Sequence, residues 1–378
     1  MNTKSLFSLS GHIRLNEPLP WDVVDSLGRP LLRKGVVISD QRQLAALLER
    51  GIFVDRGEYE RYFEDSPPPP PPQPTNADPF WDWDSVHQRL GNALHEDVVD
   101  PAFVQNIENI VADIERLTEK ERDASIFAMI RLDMTRYPVA HSLRTAFVAG
   151  LIARGMGMGD AERLTLLKAA LTMNIAMIEL QNVLHKQATP LSDAQRAEIK
   201  THPARGVRCL ETFGVTDPGW LRTVAQHHET SDGKGYPAGL TDISPLAEVI
   251  HYAEAYCATM SNSAHRKAVP AKSAARALFV AAADVSGINI PALIIKELGI
   301  YPPGSFVKLA NGEIGVVVRR GSSASAPRVA GLQNRQGVTY IKPTNRNTTA
   351  AEFAVIEAVM PEDDRFQLSP MRLFGYET

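Results

Sequence analysis

The chain has 378 residues, enough for two or three domains of roughly 100–200 residues each. Hydrophobic residues make up 44% and charged residues 22%, the balance of a globular chain with a packed core. The formal charge is −4 and no basic cluster stands out, which argues against a nucleic-acid polymer as partner, because phosphate binding needs concentrated Lys and Arg.

The two cysteines, Cys209 and Cys257, cannot build a disulfide framework, so a reducing cytoplasm is the expected location. The first twenty residues lack the apolar core of a signal peptide, and no stretch reaches the ~18 apolar residues of a membrane-spanning helix. The expectation is a soluble cytoplasmic protein with no membrane contact.

Residues 1–63 read as a small α+β accessory domain. His12 to Leu15 and Val23 to Asp25 have strand character, Ser26-Leu27-Gly28-Arg29 is a turn, and Pro30 to Leu32 resumes the apolar pattern. Ser39 can N-cap a helix carrying Leu44, Leu47 and Leu48, which Gly51 stops; Phe53 and Val54 start another extended piece. Residues 64–82 form a linker around Pro67 to Pro72 and Pro74. Proline fixes φ and removes a donor, so this is a semi-rigid polyproline II spacer; a ligand for a proline-binding module is the alternative.

Residues 83–300 have helical periodicity. Phe103, Ile107, Ile110 and Ile114 share one face, as do Leu143, Phe147 and Leu151, widened by Val148 and Ile152. Ser192 and Gln195 have capping-box spacing. Trp81 and Trp83 are expected to pack on this helical core, with ligand stacking as the alternative. Residues 301–378 read as a β subdomain. Asn311-Gly312 lies between alternating apolar runs, the signal of a two-residue type I′ hairpin, and Val338 to Ile341 and Phe353 to Ile356 are further strands. The fold class expected is mainly α: an all-helical domain between a small α+β domain and a small β subdomain.

The chemistry concentrates in one string, His227-His228-Glu229-Thr230-Ser231-Asp232-Gly233-Lys234-Gly235-Tyr236-Pro237-Ala238-Gly239-Leu240. Adjacent imidazoles with carboxylates nearby are costly to bury without partners. Gly233, Gly235 and Pro237 mark a tight, shaped loop directly after them. That combination suits a metal centre that meets a ligand; a pair of histidines on a solvated helix end is the bland reading.

The whole string resembles the signature of the HD-GYP family, HHExxDGxGYPxGL, at every fixed position. His141 on an amphipathic helix, Leu191 to Gln195, His202-Pro203-Ala204-Arg205-Gly206, and Leu298-Gly299-Ile300-Tyr301-Pro302-Pro303-Gly304-Ser305 are similar to further family motifs in the same order. The resemblance covers most of the chain. It implies an all-helical domain of the HD phosphohydrolase superfamily, a role in bacterial cyclic-di-GMP signalling, and hydrolysis at a centre of two or three metals in working members. It also implies cyclic-di-GMP or a diguanylate cyclase-type protein as partner, the latter meeting the loop that contains Asp232, Gly233, Gly235, Tyr236, Pro237 and Gly239.

The resemblance fails where the family carries its His-Asp pair. Met173 stands at the histidine, Asn174 at the aspartate and Met177 at the lysine of a stretch like AALLHDIGK. Methionine is a soft, poor ligand for hard divalent ions, and asparagine brings no charge. Glu254 keeps a carboxylate in Ala253-Glu254-Ala255-Tyr256-Cys257-Ala258, whereas Cys257 replaces a second aspartate. Tyr137 holds the position of the extra glutamate of trinuclear members, Glu248 that of an arginine, and Ser263 that of a phosphate-contacting arginine. The remaining candidate ligands are His141, His202, His227, His228 and Glu254. One divalent ion (Fe, Mn or Zn) and a metal-free cluster are both open.

His12, His87, His95, His185, His251 and His265 fall outside the matched positions and read as surface or structural. Lys186, Arg205, Arg266 and Lys267 could bring positive charge near the site; solvated helix faces are the bland reading of each. The function expected is that of a degenerate signalling member, weak or inactive in catalysis, acting by protein interaction or nucleotide sensing. The alternative is an active cyclic-di-GMP phosphodiesterase on a rearranged centre, with Asn174 as an oxygen ligand.

Overall fold

The computed structural model describes residues 3–5, 18–19, 22–24, 29–38, 53–55, 78–94, 100–264, 266–281, 289–360, 366 and 368–376. Expectations for His12 to Leu15, the helix after Ser39, the proline run, His95 and His265 lie outside these residues. The chain divides into two compact units, Met1–Asn76 and Ala77–Thr378.

The first unit holds a four-stranded antiparallel sheet, order β1-β4-β2-β3, from Thr3–Ser5 (β1), Val23–Val24 (β2), Pro30–Leu32 (β3) and Phe53–Asp55 (β4). Leu19, Val23 and Ile38 are buried in it. The Asp22 carboxylate accepts the Lys34 N–H at 2.7 Å and pairs with Arg33 at 3.0 Å, tying the start of β2 to the residues just after β3.

The second unit opens with Pro79–Ala93 (α1). Asp78 caps it, accepting from the backbone N–H groups of Phe80 and Trp81, and Pro79 occupies the first turn, where its missing N–H costs nothing. The helix therefore starts four residues before the expected boundary at 83. Trp83 is buried, donates its indole N–H to Ser125 at 3.0 Å and meets Phe147 edge-on. Trp81 does not pack as expected: it is 55% exposed, two positions along and turned to the opposite side of the helix.

Phe103–Lys120 (α2) buries Phe103, Ile107, Ile110 and Ile114, the face its periodicity marks. Arg122–Ile130 (α3) leads to Tyr137–Met156 (α4), in which every residue from Pro138 to Ala153 is buried. A helix apolar all round belongs at the centre of a bundle. Around α4 pack Asp160–Thr172 (α5), Pro245–Thr259 (α9) and Ile290–Leu298 (α11). A 3-10 turn, Ile175–Met177, and Ile178–Lys186 (α6) follow α5; Asp193–Thr212 (α7), Pro218–Gln226 (α8) and Ala271–Ala281 (α10) complete the bundle. Ser192 and Gln195 form the expected capping box at the start of α7.

The C-terminal sheet is antiparallel, order β8-β7-β6-β5-β9, from Phe306–Leu309 (β5), Ile314–Arg319 (β6), Arg328–Gln333 (β7), Thr339–Asn347 (β8) and Val355–Val359 (β9); Pro370–Phe374 (α12) follows. Phe306, Val316, Val318, Ala330 and Leu332 pack on Phe127 of α3. The Asn311-Gly312 hairpin is present, with a wider turn than the two-residue one expected. Gly312 N–H bonds to Leu309 C=O and Leu309 N–H to Glu313 C=O, so the loop is Ala310–Gly312 with Gly312 at φ 86°. Phe353 ends a 3-10 turn instead of starting a strand. Among the described residues no helix is long and apolar enough to cross a membrane.

Candidate metal centre

Five elements deliver the candidate site. His141 lies near the start of α4, Asn174 just past α5, His202 within α7, His227 and His228 just past α8, and Glu254 on α9. Local sequence fixes the two central imidazoles. Pro203 sits inside α7 and has no N–H, so the Ile199 carbonyl four residues earlier loses its helical donor. The Nδ1 of His202 donates to that carbonyl at 2.6 Å. Helix α8 ends at Gln226, leaving Val224 C=O among its terminal carbonyls, and the Nδ1 of His227 donates to it at 2.7 Å.

A carbonyl only accepts, so both rings carry their proton on Nδ1 and a lone pair on Nε2. The two Nε2 atoms lie 3.0 Å apart. Facing lone pairs repel unless a cation stands between them. Two nitrogens on one tetrahedral ion at ~2.0–2.1 Å would be about 3.3 Å apart, close to the observed spacing. His202, His227 and His228 each offer a ligand atom within 4.8 Å of the other two, and among the described residues they are the one set that does. The residues fit a metal ion.

Electrostatics favour the same state. Burial, then His227, pushes His202 down to about 3. Burial, then His228, pushes His227 down to about 3. Burial pushes His228 down to about 4, against the pull of Glu254. All three are neutral at pH 7, the form that ligates.

Glu254 is the only carboxylate facing these rings among the described contacts. Its Oε1 is 3.5 Å from Nε2 of His141 and accepts from Nδ2 of Asn174 at 3.3 Å. Its Oε2 is 3.7 Å from Nε2 of His228. Burial opposes its charge, but His228, His141 and His227 together hold it well below the usual carboxylate range. The Oδ1 of Asn174 and the Nδ1 of His141 are buried with no protein partner. Tyr137 stacks on His141 at 5.3 Å and on His185 at 4.2 Å; burial, then Glu254, raises its phenol to about 12.

The five expected ligands thus divide. The structure brings His202, His227 and His228 together, and ties His141 to Glu254 and Asn174. Met173 is fully buried in the helical core and Met177 is buried as well. Arg205 does not lie on a free helix face: its guanidinium donates to the Ala176 carbonyl and pairs with Glu198 at 3.3 Å.

The loop after the histidines is held from beneath. Glu229, 1% exposed, accepts from the N–H groups of Ala238 at 2.7 Å and Leu240 at 2.9 Å. Tyr236 N–H bonds to His228 C=O, and its ring stacks on the His228 ring at 4.5 Å. A Cβ at Gly235 would lie 2.5 Å from backbone atoms of His228, Glu229 and Thr230, so only glycine fits. Asp232 accepts from Thr230 and from Lys234 N–H and pairs with the Lys234 ammonium at 2.9 Å. Residues 237–240, including Pro237 and Gly239, are exposed.

Three contributors escaped the sequence reading. Glu229 is a clamp on the loop, which its distance in sequence from Leu240 hides. His185 is part of an aromatic stack with Tyr137, with no motif to mark it. Arg144, 4% exposed, donates to Met129 C=O and Ser261 Oγ beneath the site. A lone arginine within the apolar run of α4 was its one signal.

The HD domain family matches residues 107–284. The chain is 28% identical over 212 residues to a cyclic di-GMP phosphodiesterase of Pseudomonas aeruginosa, covering 54% of this chain and 50% of that one. It is 30% identical over 136 residues to a 3'3'-cGAMP-specific phosphodiesterase of Vibrio cholerae, covering 35% and 29%. A cyclic di-GMP phosphodiesterase of Borreliella burgdorferi is 26% identical over 184 residues, 48% of each chain. The chain thus spans half or less of the length of these relatives. An HDG"Y"P protein from Bdellovibrio bacteriovorus shares the fold, with a TM-score of 0.57 at 16% identity over 78% of this chain and 98% of that one.

Proposed function

Because the chain belongs to the HD-GYP family of the HD phosphohydrolase superfamily, we propose that it acts in cyclic-di-GMP signalling as a degenerate member, weak or inactive in hydrolysis. The observation that carries this is the Asn174 amide donating to Glu254, where two-metal hydrolysis needs a second carboxylate. His202, His227 and His228 would hold a divalent ion, which would supply Lewis-acid polarisation of a phosphoryl oxygen. This chain's own residues would then orient the ligand. Tyr236 covers His228, and Glu229 holds the exposed segment 237–240 in one shape. An exposed loop tied down by Glu229 suits recognition of a diguanylate cyclase-type protein or of the cyclic dinucleotide.

The test pairs a cyclic-di-GMP turnover assay in manganese or iron with capture of diguanylate cyclase domains. Absent or very slow turnover, with capture lost on Tyr236→Ala, is the expected result. Turnover at a rate ordinary for an enzyme, on the order of 1 s⁻¹ or more, would overturn it in favour of an active phosphodiesterase on a rearranged centre.

A further inference from the structure

We propose that this is a one-ion centre, with His202, His227 and His228 as ligands, in which His141, Glu254 and Asn174 form a hydrogen-bonded plug where a second ion would sit. The proposal rests on reading the imidazole triad as a metal site and excludes His141 from the resting ligand set.

Proton placement makes the first argument. A histidine ligates through a lone pair. In the triad, backbone carbonyls take the Nδ1 protons of His202 and His227 and leave Nε2 free to ligate. His141 has the opposite arrangement. Its Nε2 faces a carboxylate oxygen, which only accepts, so Nε2 carries a proton and is closed to an ion, while Nδ1 is buried away from any protein partner.

Asn174 makes the second. Its Nδ2 donates to Glu254; the reverse orientation would set an amide oxygen against a carboxylate oxygen. An ion bridging these two groups would have to break that hydrogen bond and turn the amide over. Oδ1 now points into a buried place with no protein donor. The plug is therefore held on the Glu254 side alone, with both donors converging on Oε1 at 3.5 and 3.3 Å.

Charge makes the third. Of the six side chains, Glu254 alone is acidic, so the buried site brings at most a single negative charge. Two divalent ions bring four positive charges and would leave three uncompensated, a heavy cost at low dielectric. One divalent ion leaves one, which a bound phosphate or hydroxide can meet. Converting Asn174 to a carboxylate removes the donor to Glu254, adds a negative charge and frees His141 to turn toward an ion.

The test is metal stoichiometry on full-length, tag-free protein, stripped and titrated with Mn2+, then Zn2+, and read by elemental analysis and calorimetry without nucleotide. Wild type is expected to bind one ion. His141→Ala should keep one ion with affinity within about tenfold, whereas His202→Ala should lose more than about 100-fold. Asn174→Asp should bind two, and Asn174→Asp with His141→Ala should return to one. Circular dichroism confirms that each variant is folded; wild type and His141→Ala decide the ligand set even if the aspartate variant fails to fold. Two ions in wild type, none in wild type, or an empty site in His141→Ala would overturn the proposal. A folded Asn174→Asp that still binds one ion would overturn the plug. The ion count is independent of turnover and of partner capture, so these results and those on signalling function separate.

Discussion

His202 donates its Nδ1 proton to the Ile199 carbonyl at 2.6 Å, and that carbonyl is available because Pro203 supplies no helical N–H. One proline thereby sets the tautomer of an imidazole of the triad. Proline inside a helix usually costs ~3 kcal/mol, and here the cost is tied to an orientation of the ring that holds Nε2 toward His227.

Pro203→Ala should therefore split two readouts. An alanine N–H at 203 would take the Ile199 carbonyl and compete with His202. Metal affinity should fall about 10–100-fold, the usual effect of losing an outer partner of a ligating histidine. The melting temperature of the stripped protein should hold or rise, because the helix regains a hydrogen bond. Calorimetric metal titration and thermal melts of the stripped protein check the two halves; equal losses in both would mean that Pro203 serves packing alone.

Gly235 predicts a local failure. A methyl group there would meet the backbone of residues 228–230 at 2.5 Å, and none of those atoms belongs to a flexible side chain. Gly235→Ala should cost roughly 1–3 kcal/mol by denaturant unfolding. It should also displace Tyr236 from His228, since the Tyr236 N–H is fixed to the His228 carbonyl. Tyrosine fluorescence and partner capture should change with it, while the His202–His227 pair stays able to bind metal.

Asp217 ties stability to the placement of His227. Its carboxylate caps α8 through the N–H groups of Gly219 and Trp220 and pairs with Lys168 at 2.9 Å. Burial works against its charge, but Lys168 and the two N–H groups outweigh that and lower its pKa. A group with a depressed folded pKa contributes stability above its unfolded pKa, ~3.8–3.9, and loses it as pH falls through the folded value. Asp217→Ala should thus cost about 1 kcal/mol at pH 7, and the gap to wild type should narrow progressively below pH ~4. Urea unfolding at pH 7, 4 and 3 reads the trend; a gap that widens on acidification would contradict the assignment.

Motif strings carried most of the family and part of the site. Ser192 and Gln195 announce a capping box, and the spacing of Phe103, Ile107, Ile110 and Ile114 announces a buried face, because both are local in sequence. The three triad histidines were legible for the same reason: two are adjacent and one precedes a proline. What stayed hidden depends on groups brought together from afar. The Asn174–Glu254 contact spans 80 residues and separates His141 from the triad in role. The wider hairpin at Gly312 stayed hidden because Asn-Gly specifies a turn and not where the strands stop pairing. Trp81 shows the limit of composition: a large ring is expected inward, but α1 has one buried side and Trp83 takes it.

Met173 and Asn174 define the most demanding prediction. Restoring His and Asp at these positions supplies a second carboxylate beside Glu254 and another imidazole on the same segment. If the surrounding frame is merely disarmed, Met173→His with Asn174→Asp should gain cyclic-di-GMP hydrolysis in manganese, on the order of 10²-fold over wild type, the scale of restoring one set of charge-stabilising contacts. The cost is real, because Met173 is fully buried among apolar side chains, and a metal-free histidine there would be left unsatisfied. The double variant should therefore be less stable than wild type when stripped and recover on adding metal, as binding to the folded state requires. Turnover measured alongside metal-dependent thermal shift distinguishes the outcomes. A variant stabilised by metal yet without hydrolysis would point instead to Met177, Glu248 or Ser263, where the sequence also departs from the family pattern it resembles.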